Sequence, residues 1–272
     1  MLRTLIINQK IEPFKKIIKV DGDKSLSIRW VLLASQALGS SKAYNLLMSE
    51  DVNAALGAIK KLGIKVKINK DNCEIFGNGI NGFNYKSGLV VDAKNSGTLG
   101  RLILGLLIRS PKRIKIIGDK SLSKRDFSRV VIPLEKFGAK FYYKKKNKLP
   151  LSVIGSQSPK GINYIENKGS AQCKSSVMLA ALNSKGTTFI KAKKSRNHSE
   201  LLFKYLKIPI KIKKNKKYDF INIKKPKKIN AFNYQVPGDI SSSAFFMVLT
   251  MLTNNSELLI KNVNINPSRI GV

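Results

Sequence analysis

The sequence predicts a mixed α/β (α+β) fold built from a repeated structural unit. Three apolar helical stretches begin at Lys24, Gly97 and Ser170, at equal intervals of 73 residues. Each is followed by a second amphipathic stretch and then by two short segments with strand-like composition, so the unit reads helix, strand, helix, strand, strand. With 272 residues, of which 43% are hydrophobic, the chain is long enough to bury a substantial core.

The first helix of each unit begins at a small polar residue or glycine and continues as an apolar run, which is typical of a helix start. The sequences are KSLSIRWVLLASQAL from Lys24, GTLGRLILGLL from Gly97 and SAQCKSSVMLAAL from Ser170. A fourth helix of this kind, VPGDISSSAFFMVLTML, is expected at 236–252. It is followed by a strand, SELLIKNVNI, and by NPSRIGV, which resembles the start of another helix. We therefore expect a further unit beyond Val272, and this chain to be a fragment.

The second helix of each unit shows apolar residues at helical spacing on one face. These helices are predicted at 49–63, 123–138 and 195–207. Paired strands follow them at 64–68 with 73–77, at 139–143 with 149–155, and at 208–214 with 218–223. Turns rich in Lys, Asn and Gly join each pair, which predicts a hairpin at the end of every unit.

The composition favours anionic partners and argues against several classes of protein. Lys and Arg number 51 against 16 Asp and Glu, a net charge of +35, although the even spread of lysines also fits a solvated surface. Cys73 and Cys173 match neither a disulfide framework nor a metal motif. The apolar run at 102–108 is too short to span a bilayer. We expect a cytoplasmic protein without membrane association, cofactor or metal.

Two almost identical octapeptides, GDKSLSIR at 22–29 and GDKSLSKR at 118–125, indicate where the chemistry lies. They are predicted to open the first helix of unit one and the second helix of unit two. A helix N-terminus offers free N–H groups and a positive dipole end, and the hydroxyl groups and cations of these segments add donors for an anion. NSGTLGR, KGSAQCK and SRNHSE add three similar helix starts. Ordinary N-capping, worth about 1 kcal/mol, is the alternative at each, but capping does not require cations.

The remaining candidates are better explained by structure than by chemistry. His198, the single histidine, is expected to be a surface or capping residue, and Trp30 to belong to the core. The lysine runs at 144–148 and 213–228 are expected to be solvated charge in hairpin turns.

The ordered motifs resemble those of the 5-enolpyruvylshikimate-3-phosphate synthase family. GDKSLSIR, NSGTLGR, GDKSLSKR, SAQCKS, SRNHSE, VPGDISSSAFF and NPSRIG follow the family order from about residue 20 to residue 272. The resemblance implies two similar domains, each of three βαβαββ units. It assigns 1–20 to a strand of the second domain, 21–236 to the first domain, and 237–272 to the start of a second domain that is incomplete in this chain.

The resemblance also implies a reaction and a set of binding residues. Family members transfer the enolpyruvyl group of phosphoenolpyruvate to the 5-hydroxyl of shikimate 3-phosphate and release phosphate. Residues expected to bind shikimate 3-phosphate are Lys24, Ser25, Arg29, Ser170, Ala171, Gln172 and Arg196. Residues expected to bind phosphoenolpyruvate are Lys24, Asn95, Gly97, Thr98, Arg125 and Gln172. The acid/base groups are expected beyond Val272, so the fragment should be inactive alone, and the full-length enzyme a monomer.

Two alternatives stay open at this point. A related transferase acting on a UDP-sugar would share the repeated fold, although its expected active-loop cysteine context is not visible around Cys73 or Cys173. A basic nucleic-acid-binding module would account for the net charge and the lysine runs, and its affinity would fall steeply with salt.

Overall fold

The computed structural model describes residues 10–271, which contain seven α-helices and fourteen strands. The helices are α1 Lys24–Ala34, α2 Glu50–Lys61, α3 Gly97–Leu106, α4 Ser128–Glu135, α5 Ala171–Ala181, α6 His198–Tyr205 and α7 Ile240–Leu252. The first seven strands are β1 Lys15–Lys19, β2 Leu38–Tyr44, β3 Lys65–Asn69, β4 Asn72–Asn78, β5 Leu89–Asp92, β6 Ile114–Ile117 and β7 Lys140–Tyr143. The others are β8 Leu151–Ile154, β9 Asn163–Glu166, β10 Thr187–Lys193, β11 Ile210–Lys214, β12 Tyr218–Lys224, β13 Asn233–Gln235 and β14 Glu257–Lys261.

Three four-stranded sheets share one topology, as the repeat predicts. Their strand orders are β5-β6-β8-β7, β9-β10-β12-β11 and β13-β2-β4-β3. In each sheet the first two strands are parallel and the rest antiparallel. In the third sheet the place of the first strand is taken by β13, from much later in the chain, so the sheet of unit one is closed by the segment that follows unit three.

The first helices of the three units form the interior. Helices α1, α3 and α5 are buried over most of their length, which is typical of helices at the centre of a core. Gly105 lets α3 approach α5 closely, because a Cβ at that position would lie 2.1 Å from the carbonyl oxygen of Ser176. Trp30 of α1 is fully buried, as predicted from the sequence.

Two chain segments run side by side where the three-sheet body meets the region around α7. Gly22 and Gly238 form an antiparallel bridge. The amide of Asp23 donates to the carbonyl of Pro237 at 2.8 Å, and the amide of Asp239 donates to the carbonyl of Asp21 at 2.9 Å. Beyond them, β1 pairs in parallel with β14 in a two-stranded sheet.

The predicted domain boundaries fall at this crossover and stay predictions. Of the segment 1–20 assigned to a second domain, residues 1–9 lie outside the described residues. Within 10–271, no helix is both long and apolar enough to cross a bilayer.

One helix prediction was wrong. GDKSLSKR does not open an α-helix: its Leu122–Lys124 segment is a single 3₁₀ turn, Arg125 is extended, and α4 begins only at Ser128. The two octapeptides nevertheless share their first turn, since Asp23 and Asp119 each accept a hydrogen bond from the amide three residues later. They then diverge at the seventh residue. Ile28 is buried and continues a core helix, whereas Lys124 at the same position is exposed and makes no contribution to the core.

The segment NPSRIG, which was predicted to resemble a helix start, forms a single turn. Its described part, 266–271, contains a turn at 267–269 and no helix. The amides of Arg269 and Ile270 both donate to the carbonyl of Asn266, which closes the turn.

Candidate anion-binding site

Two guanidinium groups converge on the first residue of α3. A Cβ at Gly97 would lie 2.8 Å from Nη1 of Arg101 and 3.0 Å from Nη1 of Arg125. Arg125 reaches this position because the chain leaves the 3₁₀ turn in an extended conformation. The N-terminus of α3, capped by Ser96, therefore has two cations beside it, an arrangement that suits an anion.

Gln172 links this cluster to the start of α5. Its Nε2 donates to Thr98 Oγ1 at 3.0 Å, and its Oε1 accepts from Arg101 Nη1 at 2.9 Å. Arg101 also stacks over the ring of Phe127, with 5.2 Å between Cζ and the ring centroid. Burial lowers the pKa of Arg101, and the nearby Arg125 lowers it further. Arg101 belongs to the helix start NSGTLGR singled out in the sequence, but it was not among the residues predicted to bind a substrate.

A cavity of about 660 Å³ opens beside Gln172. It is lined by Gly169, Ser170, Ala171, Gln172, Lys194, Ser195, Arg196 and Ser268. The structure thus brings together four residues predicted to bind shikimate 3-phosphate: Ser170, Ala171, Gln172 and Arg196. Lys194, Ser195 and Ser268 were not among the predicted residues.

Glu166 holds the segment that leads into α5. This buried carboxylate at the end of β9 accepts hydrogen bonds from the amides of Ser170 at 2.8 Å and Lys168 at 3.2 Å, and pairs with Arg129 at 3.0 Å. Ser170 in turn caps α5 by accepting from the amide of Cys173. Glu166 therefore fixes the position of the Ser170 hydroxyl and of the Lys168 and Ser170 amides at the cavity edge.

Arg29 is buried and does not line the cavity. Its side chain donates from Nε to Ser199 Oγ at 2.8 Å, from Nη2 to Ser175 Oγ at 3.0 Å and from Nη1 to the carbonyl of Ser25 at 3.0 Å. Burial lowers the pKa of Arg29 to about 10, while the charges of Glu200 and Asp23 oppose that shift. Three of its five donors are thus satisfied within the protein, which fixes the guanidinium plane.

Three further charged or titratable side chains are also buried: Lys174, Glu200 and His198. Lys174 Nζ on α5 pairs with Glu200 Oε1 on α6 at 2.5 Å, and both side chains are almost fully excluded from solvent. His198 was expected at the surface but is 1% exposed, because α6 turns its first residue inward. Burial, with Arg29, Arg269 and Arg196 nearby, lowers the pKa of His198 to about 3.

The remaining predicted residues lie at the edges of these clusters. Lys24 Nζ is 3.4 Å from Asp51 Oδ2, and Ser25 is half-buried at the start of α1. Asn95 Nδ2 donates to Asp119 Oδ2 at 2.5 Å, which ties the loop before α3 to the second octapeptide. Among residues 10–271, no group of three or more His, Cys, Asp or Glu side chains could hold a metal ion.

Comparison with known proteins identifies the family. The family model described as EPSP synthase (3-phosphoshikimate 1-carboxyvinyltransferase) matches residues 8–272. The chain belongs to the EPSP synthase family. A 3-phosphoshikimate 1-carboxyvinyltransferase from Ruthia magnifica subsp. Calyptogena magnifica is 43% identical over 94% of this chain. One from Syntrophomonas wolfei is 37% identical over 98% of it.

A solved EPSP synthase from Acinetobacter baumannii has the same fold. It superposes with a TM-score of 0.87 at 33% sequence identity, covering 96% of this chain and 59% of the solved one. This confirms the predicted fold class and the enolpyruvyl transferase architecture. The chain spans 58% of the Ruthia relative and 61% of the Syntrophomonas relative.

Proposed function

We propose that this chain carries the binding sites for shikimate 3-phosphate and phosphoenolpyruvate of a 3-phosphoshikimate 1-carboxyvinyltransferase. In that reaction the 5-hydroxyl oxygen of shikimate 3-phosphate adds to the enol carbon of phosphoenolpyruvate, and phosphate leaves from the resulting intermediate. Both substrates carry a phosphate and a carboxylate, so they repel each other when brought into contact.

One observation carries the proposal: Gln172 belongs to both anion-binding clusters. It contacts Thr98 and Arg101 on one side and lines the cavity with Ser170 and Arg196 on the other. Two anions bound in these clusters would therefore be neighbours. Such placement supplies proximity and electrostatic stabilisation, the two contributions that join mutually repelling reactants without covalent help from the protein.

We assign the cluster at the cavity and the cluster at the start of α3 to different substrates. Ser170, Ala171 and Arg196, with Ser25 and Arg29, suit the phosphate and carboxylate of shikimate 3-phosphate. Gly97, Thr98 and Arg125, with Asn95, suit phosphoenolpyruvate, and Lys24 and Gln172 serve both substrates. By resemblance to the family, the acid/base groups would belong to the second domain.

Calorimetric titration of the chain tests this assignment. We expect shikimate 3-phosphate to bind, unphosphorylated shikimate to bind far more weakly, and UDP-N-acetylglucosamine to give no heat. Arg196→Gln should weaken binding of shikimate 3-phosphate. Arg113→Gln is the matched control, because Arg113 is exposed and stacks on Tyr142. Tighter binding of the UDP-sugar would favour the related transferase instead.

The nucleic-acid alternative rests on the lysine surface and can be tested in parallel. An anion site for small acids should bind shikimate 3-phosphate in the presence of a large excess of duplex DNA. A nucleic-acid module would instead bind DNA with an affinity that falls steeply as salt rises. Competition by DNA for the shikimate 3-phosphate heat would contradict our proposal.

We extend the proposal to organisation and location. Residues 21–236 would form the first domain, with 1–20 and 237–272 belonging to the second, and the full-length enzyme would be a monomer without membrane or nucleic-acid partners. The antiparallel pairing of Gly22 with Gly238 supports a two-strand hinge there. Free, buried Cys73 and Cys173 suit the cytoplasm. Light scattering of the full-length enzyme tests the monomer.

A further inference from the structure

A single arginine at the crossover joins the caps of two helices. Arg269 Nη2 lies 2.8 Å from Asp239 Oδ1, and its Nε lies 3.6 Å from Asp23 Oδ2. Asp23 caps α1 by accepting from the amide of Leu26 at 3.0 Å, and Asp239 caps α7 by accepting from the amide of Ser241 at 2.9 Å. One guanidinium therefore connects α1, in the three-sheet body, with α7 on the other side of the crossover.

The same loop reaches a third helix. Asn197, the residue before α6, accepts through its Oδ1 from Asn266 Nδ2 at 2.7 Å and from Ser268 Oγ at 2.8 Å. The amide of Asn197 donates back to Ser268 Oγ at 3.3 Å. Asn264 adds a hydrogen bond to Asp23 Oδ2 at 3.1 Å. The segment 264–269, which we call the cap loop, thus contacts the N-terminal residues of α1, α6 and α7.

The ion pairs of Arg269 with Asp23 and Asp239 are buried, so their strength depends on the exact placement of the charged groups. The side chain of Arg269 is 7% exposed, that of Asp23 is fully buried and that of Asp239 is 10% exposed. Removing the cation would leave two carboxylates uncompensated in a low-dielectric region. A lysine would restore the positive charge but would not contact both carboxylates in the same way, because its single ammonium lacks the separate, coplanar N–H donors of a guanidinium.

The three caps adjoin the segments that bind the first substrate in our proposed function. Lys24 and Ser25 directly follow Asp23, and Arg196 directly precedes Asn197. Ser268 lines the cavity, whereas Arg269 does not. We propose that Arg269 is a positioning residue: through the cap loop it holds the starts of α1, α6 and α7 in one arrangement, so that Lys24, Ser25 and Arg196 meet the same ligand. This role rests on the proposed function, but the linkage between helices can be measured without ligand.

Amide hydrogen exchange of the ligand-free chain tests the linkage. In Arg269→Gln we expect faster exchange at the starts of α1, α6 and α7 together. Lys15→Gln is the control, because it breaks an exposed ion pair with Glu257 between β1 and β14 at 3.6 Å and should leave all three starts unchanged. Faster exchange confined to α7 would reduce Arg269 to a local cap and overturn the proposal.

A second variant covers the case in which Arg269→Gln does not fold. Asn266→Ala combined with Ser268→Ala removes the contacts to Asn197 and the hydrogen bonds between Ser268 and Asn266 Oδ1, and it spares the buried ion pairs. We expect faster exchange at the start of α6 alone and weaker binding of shikimate 3-phosphate. Unchanged exchange at α6 would overturn the proposed connection.

Calorimetry with shikimate 3-phosphate separates positioning from charge balance. We expect Arg269→Lys to weaken binding by about tenfold, since a displacement of about 1 Å in a positioning group has effects of this size or larger. Equal binding by the wild-type chain and Arg269→Lys would overturn the positioning role alone. Absence of binding by the wild-type chain would overturn the proposed function, with the exchange experiment still deciding the linkage.

Discussion

At the scale of single residues, the space at Gly97 limits what can be placed beside Arg101 and Arg125. A Cβ there would meet both guanidinium groups at 3.0 Å or less. We expect Gly97→Ala to displace both cations and to weaken phosphoenolpyruvate binding, measured with shikimate 3-phosphate present, by at least about tenfold. Gly57→Ala is the control, because Gly57 of α2 has open space around it and the substitution should stabilise the helix. Unchanged affinity in Gly97→Ala would place the ligand elsewhere.

The buried His198 should make stability depend on pH. Its pKa is lowered to about 3 in the folded protein, below the usual value of 6.5, so the folded state binds a proton less readily than the unfolded state does. The stability associated with neutral His198 is therefore complete above pH 6.5 and is lost as pH falls from 6.5 towards 3. Below pH 6 the slope approaches about 1.4 kcal/mol per pH unit.

Urea unfolding of the wild type and of His198→Leu between pH 8 and pH 4.5 measures this contribution. We expect the free energy of unfolding to fall less steeply with decreasing pH in the variant. Parallel curves would show that His198 is protonated equally in both states. Arg29, Arg196 and Arg269, which oppose protonation, and Asp239, which favours it, are kept in both proteins.

The roles of Arg101 and His198 show what the sequence could not reveal about single residues. The motif NSGTLGR indicated an anion site, but the approach of Arg125 to Gly97 beside Arg101 depends on the extended backbone at Arg125. His198 lies on a short amphipathic segment, and nothing local distinguishes a buried first residue from an exposed one. Both outcomes depend on tertiary contacts: those of Arg101 with Gln172 and Phe127, and the burial of His198 near Arg29.

At the scale of elements, the loop into α5 depends on Glu166. Glu166→Gln keeps the shape but replaces a carboxylate that accepts from two backbone amides and Arg129. We expect a loss of about 1–3 kcal/mol in the free energy of unfolding, the usual cost of unsatisfied buried donors, together with weaker shikimate 3-phosphate binding. Denaturant titration measures the first and calorimetry the second. A variant with wild-type stability and affinity would contradict this account.

The elements themselves were largely predictable. The helices from Lys24, Gly97 and Ser170 were predicted within a few residues, because a small capping residue followed by a long apolar run is a strong local signal. The hairpins were predicted from strand composition and turn residues. Strand β13 was not predicted, because three residues, Asn233–Gln235, carry no periodicity and are held by pairing with β2.

At the scale of the whole molecule, α7 carries an exposed apolar surface. Phe245, Met251 and Leu252 are 79% or more exposed. We expect the chain to associate at micromolar concentration despite its net charge, because exposed apolar patches of this kind promote aggregation. Light scattering should show less association for Phe245→Lys with Met251→Lys than for the wild type. A wild-type chain that stays monomeric would contradict the expectation.

Residues 20–23 and 236–239 lie next to each other. The order in which the segments of the three-sheet body follow one another along the chain can therefore be changed without changing the fold. Because β13 closes the sheet of β2, the segment 21–238 begins and ends at neighbouring points. A circular permutant that links these ends and opens new termini in the exposed turn at 144–148 should therefore fold. Circular dichroism would show a cooperative melt in such a protein, in which β13 and β2 belong to one continuous unit and unit two is opened between β7 and β8.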